Sequence, residues 1–387
     1  MKKNIKYIFS IVFLCIVFYG FFSNSSNLKE NAITAKNMIK EIGINAAISS
    51  FENGYNQNFY GKLSLVNING AYRRVLGQTV IGDVIRVNDS LTMKSEITYD
   101  ANVFFDDIEY TKVILNYADA NGISTLYVQH PTKINTLLNQ LPYDKNKNAV
   151  NTDEYWLEKI IEGGYNVLNL CEDEYSANTF YRTDHHWTNE SALNAANAIL
   201  DSLNINTDVC RKKKYKEDIY VNSFLGSAGI RVGKSYVGKD DFSVYIPKFE
   251  TNLMYKKLVD NEVVFEASGD FNQCFINRAI IDDENYNNKY NAFLNGGYVE
   301  NIILNRNCNN DKKILIISDS FARPMTQYLS LAFSETRYLD PQDGRFNDSC
   351  IDYIKKYEPD YLIIMYSLNY QDEMLECDML SYNKYLS

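Results

Sequence analysis

Short apolar runs that alternate with helical patterns constrain this chain more than any other feature. Lys313-Ile314-Leu315-Ile316-Ile317 carries four large apolar residues in succession and is closed by Ser318-Asp319-Ser320. Such a run is too short for a buried helix and lacks the alternation of a half-exposed strand, so it reads as a strand buried on both faces. Tyr361-Leu362-Ile363-Ile364-Met365-Tyr366 reads the same way, as do Ser124-Thr125-Leu126-Tyr127-Val128 and Tyr165-Asn166-Val167-Leu168-Asn169-Leu170. Helical patterns fall at residues 105–120, 153–163, 189–203, 321–333 and 350–357, and a short strand at Arg337-Tyr338-Leu339. Buried strands separated by helices imply an α/β fold built on a parallel sheet.

Three stretches depart from that rhythm. Lys2, Lys3 and Lys6 precede an uncharged run from Tyr7 to Phe22. The pattern is that of a signal peptide or an uncleaved anchor, read here as a transmembrane signal-anchor over residues 1–27 that leaves the rest of the chain outside the cytoplasm. Residues 28–60 form a leading helix (Asn27 to Ile48) and a linker. The α/β domain occupies 61–387, where Gly61 to Met93 reads as short strands with turn signals at Asn69-Gly70 and Asn88-Asp89. Within it, Gly-rich turns and strand-like pieces such as Phe242-Ser243-Val244-Tyr245-Ile246 mark a β-rich insertion at 218–306.

The net charge of −10 argues against a nucleic-acid surface, because neutralising phosphates takes clustered Lys and Arg. The one basic run, Arg211-Lys212-Lys213-Lys214, reads as a solvated turn. Outside the anchor, Cys171, Cys210, Cys274, Cys308, Cys350 and Cys377 have long, irregular spacings with no C-x2-C pair, which disfavours a zinc site. Disulfides are permitted, buried thiols equally so, and no pairing follows.

Histidine is the side chain best suited to proton transfer near neutral pH. The chain has 3, and two adjoin in Tyr181-Arg182-Thr183-Asp184-His185-His186-Trp187; the third is His130, before Pro131. Residues two apart in extended backbone project to one side. Asp184 and His186 therefore pair as carboxylate and imidazole, while His185 points away. Adjacent histidines do not converge on one ion, so no metal is expected. Beyond the buried strand, Ser320 sits where an α/β sheet binds ligands and where a helix N-terminus offers N–H groups to an oxyanion. Ser320 either caps that helix or acts as a nucleophile; with a His and an Asp it completes a Ser-His-Asp set. His130 either faces the same cleft or is a satisfied structural histidine.

Asp184-His185-His186-Trp187, the Asp319-Ser320-Phe321 motif and the N-terminal apolar run together resemble the bacterial DHHW family. That family is similar to the SGNH-hydrolase-like domains of the alginate O-acetylation proteins. The resemblance runs from about Gly61 to Tyr370. It includes Pro131-Thr132-Lys133, Gly226-Ser227 and Tyr290-Asn291-Ala292-Phe293-Leu294-Asn295-Gly296-Gly297. Asn295 stands where the pattern has Gly, and Ser318 where it has Gly or Lys. It implies an SGNH-hydrolase-like parallel-sheet sandwich, circularly permuted because Asp and His precede Ser. It further implies Ser320 as nucleophile, His186 as base and Asp184 as its orienting carboxylate, with no cofactor. The Ser320 N–H and Asn369 are the implied oxyanion donors, and Arg182, Trp187 and His185 support or line the site. The implied activity is O-acetylation of an envelope or secreted polysaccharide, with acyl groups delivered by a membrane-bound O-acyltransferase partner. A carbohydrate esterase with the same triad and a non-catalytic polysaccharide-binding scaffold are the alternatives.

Overall fold

The computed structural model describes residues 11, 14–15, 18–20, 22–57, 59–93, 101–137, 147–171, 179–284, 288–296, 300–340 and 350–365. The chain falls into two compact units, residues 1–72 and 73–387. In the first, the helix expected over 27–48 is two helices, Ser25–Ile42 and Ile44–Gln57, parted at Gly43 with φ +95°. A left-handed glycine ends a helix at little cost, so the break is local to that residue. Strands expected from Gly61 onward begin late, because Lys62–Val75 is a helix. Asn69-Gly70 lies inside it, and Gly70 does not adopt the positive φ that makes this pair a turn signal. No helix among the described residues is long and apolar enough to cross a membrane; residues 1–10, the basic end of the expected anchor, lie outside them.

In chain order the strands of the second unit are β1 (Val80–Ile81), β2 (Val84–Val87), β3 (Ser90–Met93), β4 (Ser124–Gln129) and β5 (Val167–Asn169). Then come β6 (Tyr215–Phe224), β7 (Asp240–Pro247), β8 (Leu253–Val259), β9 (Glu262–Gly269) and β10 (Glu300–Asn305). The last are β11 (Lys313–Ser318), β12 (Glu335–Leu339) and β13 (Tyr361–Met365). The main sheet has eight strands in the order β5-β4-β13-β11-β12-β10-β8-β9. From β5 to β12 all pairings are parallel, whereas β10, β8 and β9 join antiparallel. The expected parallel sheet is thus a mixed one, and three strands from residues 218–306 belong to it. Apolar pattern does not encode strand direction; the local cue is Asp260-Asn261 between β8 and β9. Both residues have positive φ (+49° and +63°), the conformation of a tight hairpin turn, and that forces antiparallel return.

Alternate residues of the parallel strands feed two cores. Ile314, Ile316, Leu126, Val128, Ile363 and Met365 enter one, with the helices Asn189–Ser202 and Ala322–Leu329. Leu315, Ile317, Tyr127, Leu362 and Ile364 enter the other, with the helices Ala101–Ala120, Lys147–Glu162 and Cys350–Tyr357. Apolar faces on both sides are what a helix-covered parallel sheet requires, and the layers are helix, sheet, helix. The six described cysteines are free thiols; Cys377 lies outside the described residues.

Candidate active site

Strand β11 ends at Ser318 in the middle of the sheet, between β13 and β12, and the chain turns at Asp319-Ser320-Phe321 into the helix Ala322–Leu329. Both readings of Ser320 meet the geometry here, and the cap does not hold. The Asp319 carboxylate accepts the Phe321 N–H at 3.0 Å, so the turn is closed by Asp319. The half-exposed Ser320 instead places its Oγ 2.8 Å from His186 Nε2. Among the described residues, no backbone acceptor takes the Ser320 N–H, which sits at the helix N-terminus as an oxyanion donor would.

His186 lies in a bend over residues 182–186 between Phe180 and Trp187, which form a single antiparallel bridge. His186 Nδ1 is 2.6 Å from Asp184 Oδ1, and the same oxygen accepts the His186 N–H at 3.0 Å. An ionised carboxylate only accepts, so Nδ1 carries the proton and Nε2 is left to accept from the Ser320 hydroxyl. Asp184 Oδ2 accepts the Ser227 N–H at 2.6 Å. Burial works to raise the Asp184 carboxyl, but the His185 and His186 imidazoles and these hydrogen bonds hold it well below the usual carboxylate range. Asp184 is fully buried and His186 nearly so, while Ser320 reaches solvent.

His185 departs from its expected place. The run is a bend, so alternation of side chains does not apply, and the His185 ring packs 3.8 Å from that of His186. Its Nδ1 lies 3.0 Å from Ser227 Oγ, and burial with the neighbouring His186 pushes its pKa down to about 3. Donor atoms of Asp184, His185 and His186 do gather within 4.8 Å, contrary to expectation. Asp184 Oδ1, His185 Nδ1 and His186 Nδ1 also take part in the hydrogen bonds just described.

Trp187 is buried and donates Nε1–H to the Phe321 carbonyl at 3.0 Å, tying the bend to the serine turn. Arg182 turns to the supporting side, where Nε donates to Asp240 Oδ1 at 3.0 Å. His130 is buried with its ring stacked on Phe321 at 4.3 Å; Nδ1 is 3.1 Å from the Pro131 carbonyl, and burial lowers its pKa. Asn369 lies outside the described residues.

Several residues around the bend had no assigned role. Lys133 Nζ donates to the carbonyls of Tyr181, Arg182 and Asp184 at 2.6, 2.8 and 2.8 Å. Asp240, at the start of β7, accepts from the Arg182 and Thr183 backbone N–H groups at 3.2 and 2.8 Å and from Thr183 Oγ1 at 2.6 Å. Gly226 packs against Asp184 so closely that a Cβ would lie 2.3 Å from the Asp184 Cβ. Tyr290 stacks on His186 at 3.8 Å with planes 15° apart. The signal for Lys133, Gly226, Ser227 and Tyr290 was their membership of short pieces in the family resemblance; Asp240 had none. Asn295, where the pattern has Gly, has φ +54°, a conformation asparagine tolerates better than other side chains.

The resemblance extends to the fold. Bacillus cereus PatB1 with a sulfonyl adduct superposes with a TM-score of 0.59 at 18% identity, over 73% of this chain and 94% of that one. A DHHW family protein from Eubacterium siraeum superposes with a TM-score of 0.56 at 18% identity, over 77% of this chain and 98% of that one. The O-acetyltransferase domain of Pseudomonas putida AlgJ aligns more loosely, with a TM-score of 0.45 at 10% identity over 74% and 91%. No family model and no curated protein sequence matches the chain.

Proposed function

We propose that this chain is an O-acyltransferase that carries an acyl group on Ser320 and passes it to a sugar hydroxyl of a polysaccharide. One observation carries the reading: the buried Asp184–His186 pair meets a half-exposed serine hydroxyl at 2.8 Å, at a helix N-terminus. His186 Nε2 takes the Ser320 proton as Oγ attacks the acyl carbonyl, and Asp184 stabilises the imidazolium. The Ser320 N–H holds the oxyanion, with Asn369 proposed as second donor. Collapse returns the proton to the departing donor oxygen and leaves acyl-Ser320. An acceptor hydroxyl, deprotonated by His186, then releases the acyl group as an ester. With water as acceptor the same steps make an esterase.

The wider reading is a membrane-anchored, extracytoplasmic enzyme of the SGNH type in permuted order, supplied by a membrane-bound O-acyltransferase. Its supports are Lys2, Lys3 and Lys6 before an apolar run, and the order Asp184, His186, Ser320 along the chain. The fold shared with PatB1, on which a sulfonyl adduct has been captured, suggests the direct test. A sulfonyl fluoride tags Ser320 in the full chain, read by peptide mass, and Ser320→Ala lowers turnover of a chromogenic acetyl ester by about 10⁴-fold or more. Ester turnover that survives in Ser320→Ala overturns the serine mechanism.

A further inference from the structure

The bend that presents Asp184 and His186 is not held by a sheet ladder, since Phe180 and Trp187 form only an isolated bridge. Its carbonyls are met from other regions. The Thr183 carbonyl accepts the Gly229 N–H at 2.9 Å. Those of Tyr181, Arg182 and Asp184 converge on the single nitrogen of Lys133, a side chain 4% exposed at the start of the short helix Lys133–Leu137. An ammonium has three N–H donors, and these three acceptors use them all. A neutral amine has two N–H groups and a lone pair, so one of the three carbonyls would lose its bond to the nitrogen and face that lone pair; of the three, the Arg182 carbonyl keeps a second donor, the Leu91 N–H at 2.7 Å. The lost hydrogen bond, and a lone pair turned on a carbonyl at 2.6–2.8 Å, disfavour the present arrangement of a bend that has no ladder of its own.

We propose that Lys133 is a positioning residue whose ammonium form sets the bend, so that acyl transfer from Ser320 requires Lys133 to be protonated. The inference rests on the Ser320–His186–Asp184 reading. The titratable and charged groups facing Lys133 are Asp240 and Asp184, which favour the ammonium, Arg182, which opposes it, and His185, whose own protonation the ammonium opposes. Burial outweighs them and pushes the pKa down to about 7, within reach of ordinary buffers. The sign follows: the clamp is complete below that range and lost as pH rises through it.

The test is the pH profile of acetyl-ester turnover by the full chain, run for the wild type, Lys133→Met, Asp240→Asn and Ser320→Ala. In the wild type kcat falls on the alkaline side while KM changes little. Lys133→Met, an apolar side chain of similar length, lowers kcat by about a hundredfold, the scale of a small misplacement of catalytic groups, and abolishes the alkaline fall. Should that variant not fold, Asp240→Asn retains Lys133 and removes a charge that favours the ammonium, so the alkaline fall moves to lower pH. A Lys133→Met profile matching the wild type, or an alkaline fall unmoved in Asp240→Asn, overturns the inference while the triad reading stands. Turnover that persists in Ser320→Ala overturns both.

Discussion

The serine turn and the histidine bend meet across a 2.8 Å hydrogen bond, yet they are held in place by different means. Ser320 follows a strand paired on both sides by parallel neighbours and precedes a buried helix, so backbone ladders and apolar packing position it. The bend at 182–186 has neither. It is suspended between a buried cation that gathers its carbonyls and a buried carboxylate, Asp240, that gathers its N–H groups. A third region, Gly226-Ser227, presses on Asp184 from the side. Irregular backbone buried in a protein must find partners for every polar group, and here many of those partners are distant side chains, with the Leu91 and Gly229 N–H groups meeting the Arg182 and Thr183 carbonyls. The lesson is that distant substitutions should disturb His186 and Asp184 more than changes within the serine turn disturb the frame of Ser320.

The largest effect is expected from Asp240→Ala. The change leaves two backbone N–H groups and the Thr183 hydroxyl of the bend without their acceptor, at about 1–3 kcal/mol for each buried group left unpaired, while the half-exposed Arg182 guanidinium can turn to water. Denaturant unfolding monitored by tryptophan fluorescence reads this loss, and Trp187 next to the bend reports on the same region. Gly226→Ala comes next. The glycine has an ordinary φ of −74°, so the penalty is purely steric, from a methyl placed 2.3 Å from the Asp184 Cβ and 2.6 Å from its Oδ2. Overpacking of this kind costs about 1–3 kcal/mol. Because the clash falls on Asp184, ester turnover should drop more than stability does; equal, small losses would mean that the carboxylate has room to move.

The smallest effect should come from the serine side. Ser318 Oγ is buried without a hydrogen-bond partner among the described residues, so Ser318→Ala removes an unsatisfied hydroxyl and should change stability by no more than about 0.5 kcal/mol. Thermal melting compares it directly with Asp240→Ala. If the serine-turn variant proves as costly as the Asp240 variant, the contrast between a ladder-held and a side-chain-held region is wrong.

Legibility in the sequence divides along the same line. The parallel half of the sheet could be read because each strand buried on both faces leaves a short apolar run, and Cys350–Tyr357 and the helix from Asn189 appear with nearly the expected bounds. Strand direction and sheet membership of residues 218–306 could not, since pattern is blind to partner, and the Asp260-Asn261 hairpin cue is only two residues long. Asn69-Gly70 misled because a turn dipeptide states what backbone is permitted, and the helix Lys62–Val75 takes the ordinary alternative. At the site, Asp184, His186 and Ser320 were legible from scarcity of histidine and from the strand-to-helix turn. His185 was misplaced because alternation holds only in extended chain.

By itself, then, the sequence determined which side chains can do proton chemistry, where buried strands run, and that a serine stands at the end of one of them. These are local properties, written in residue type and short-range spacing. The tertiary structure alone decided that Lys133, Asp240, Gly226 and Tyr290 surround the histidine bend. Those contacts join residues from about 40 to more than 100 positions apart, and such distances are closed by the packing of the whole sheet rather than by any rule of neighbouring residues.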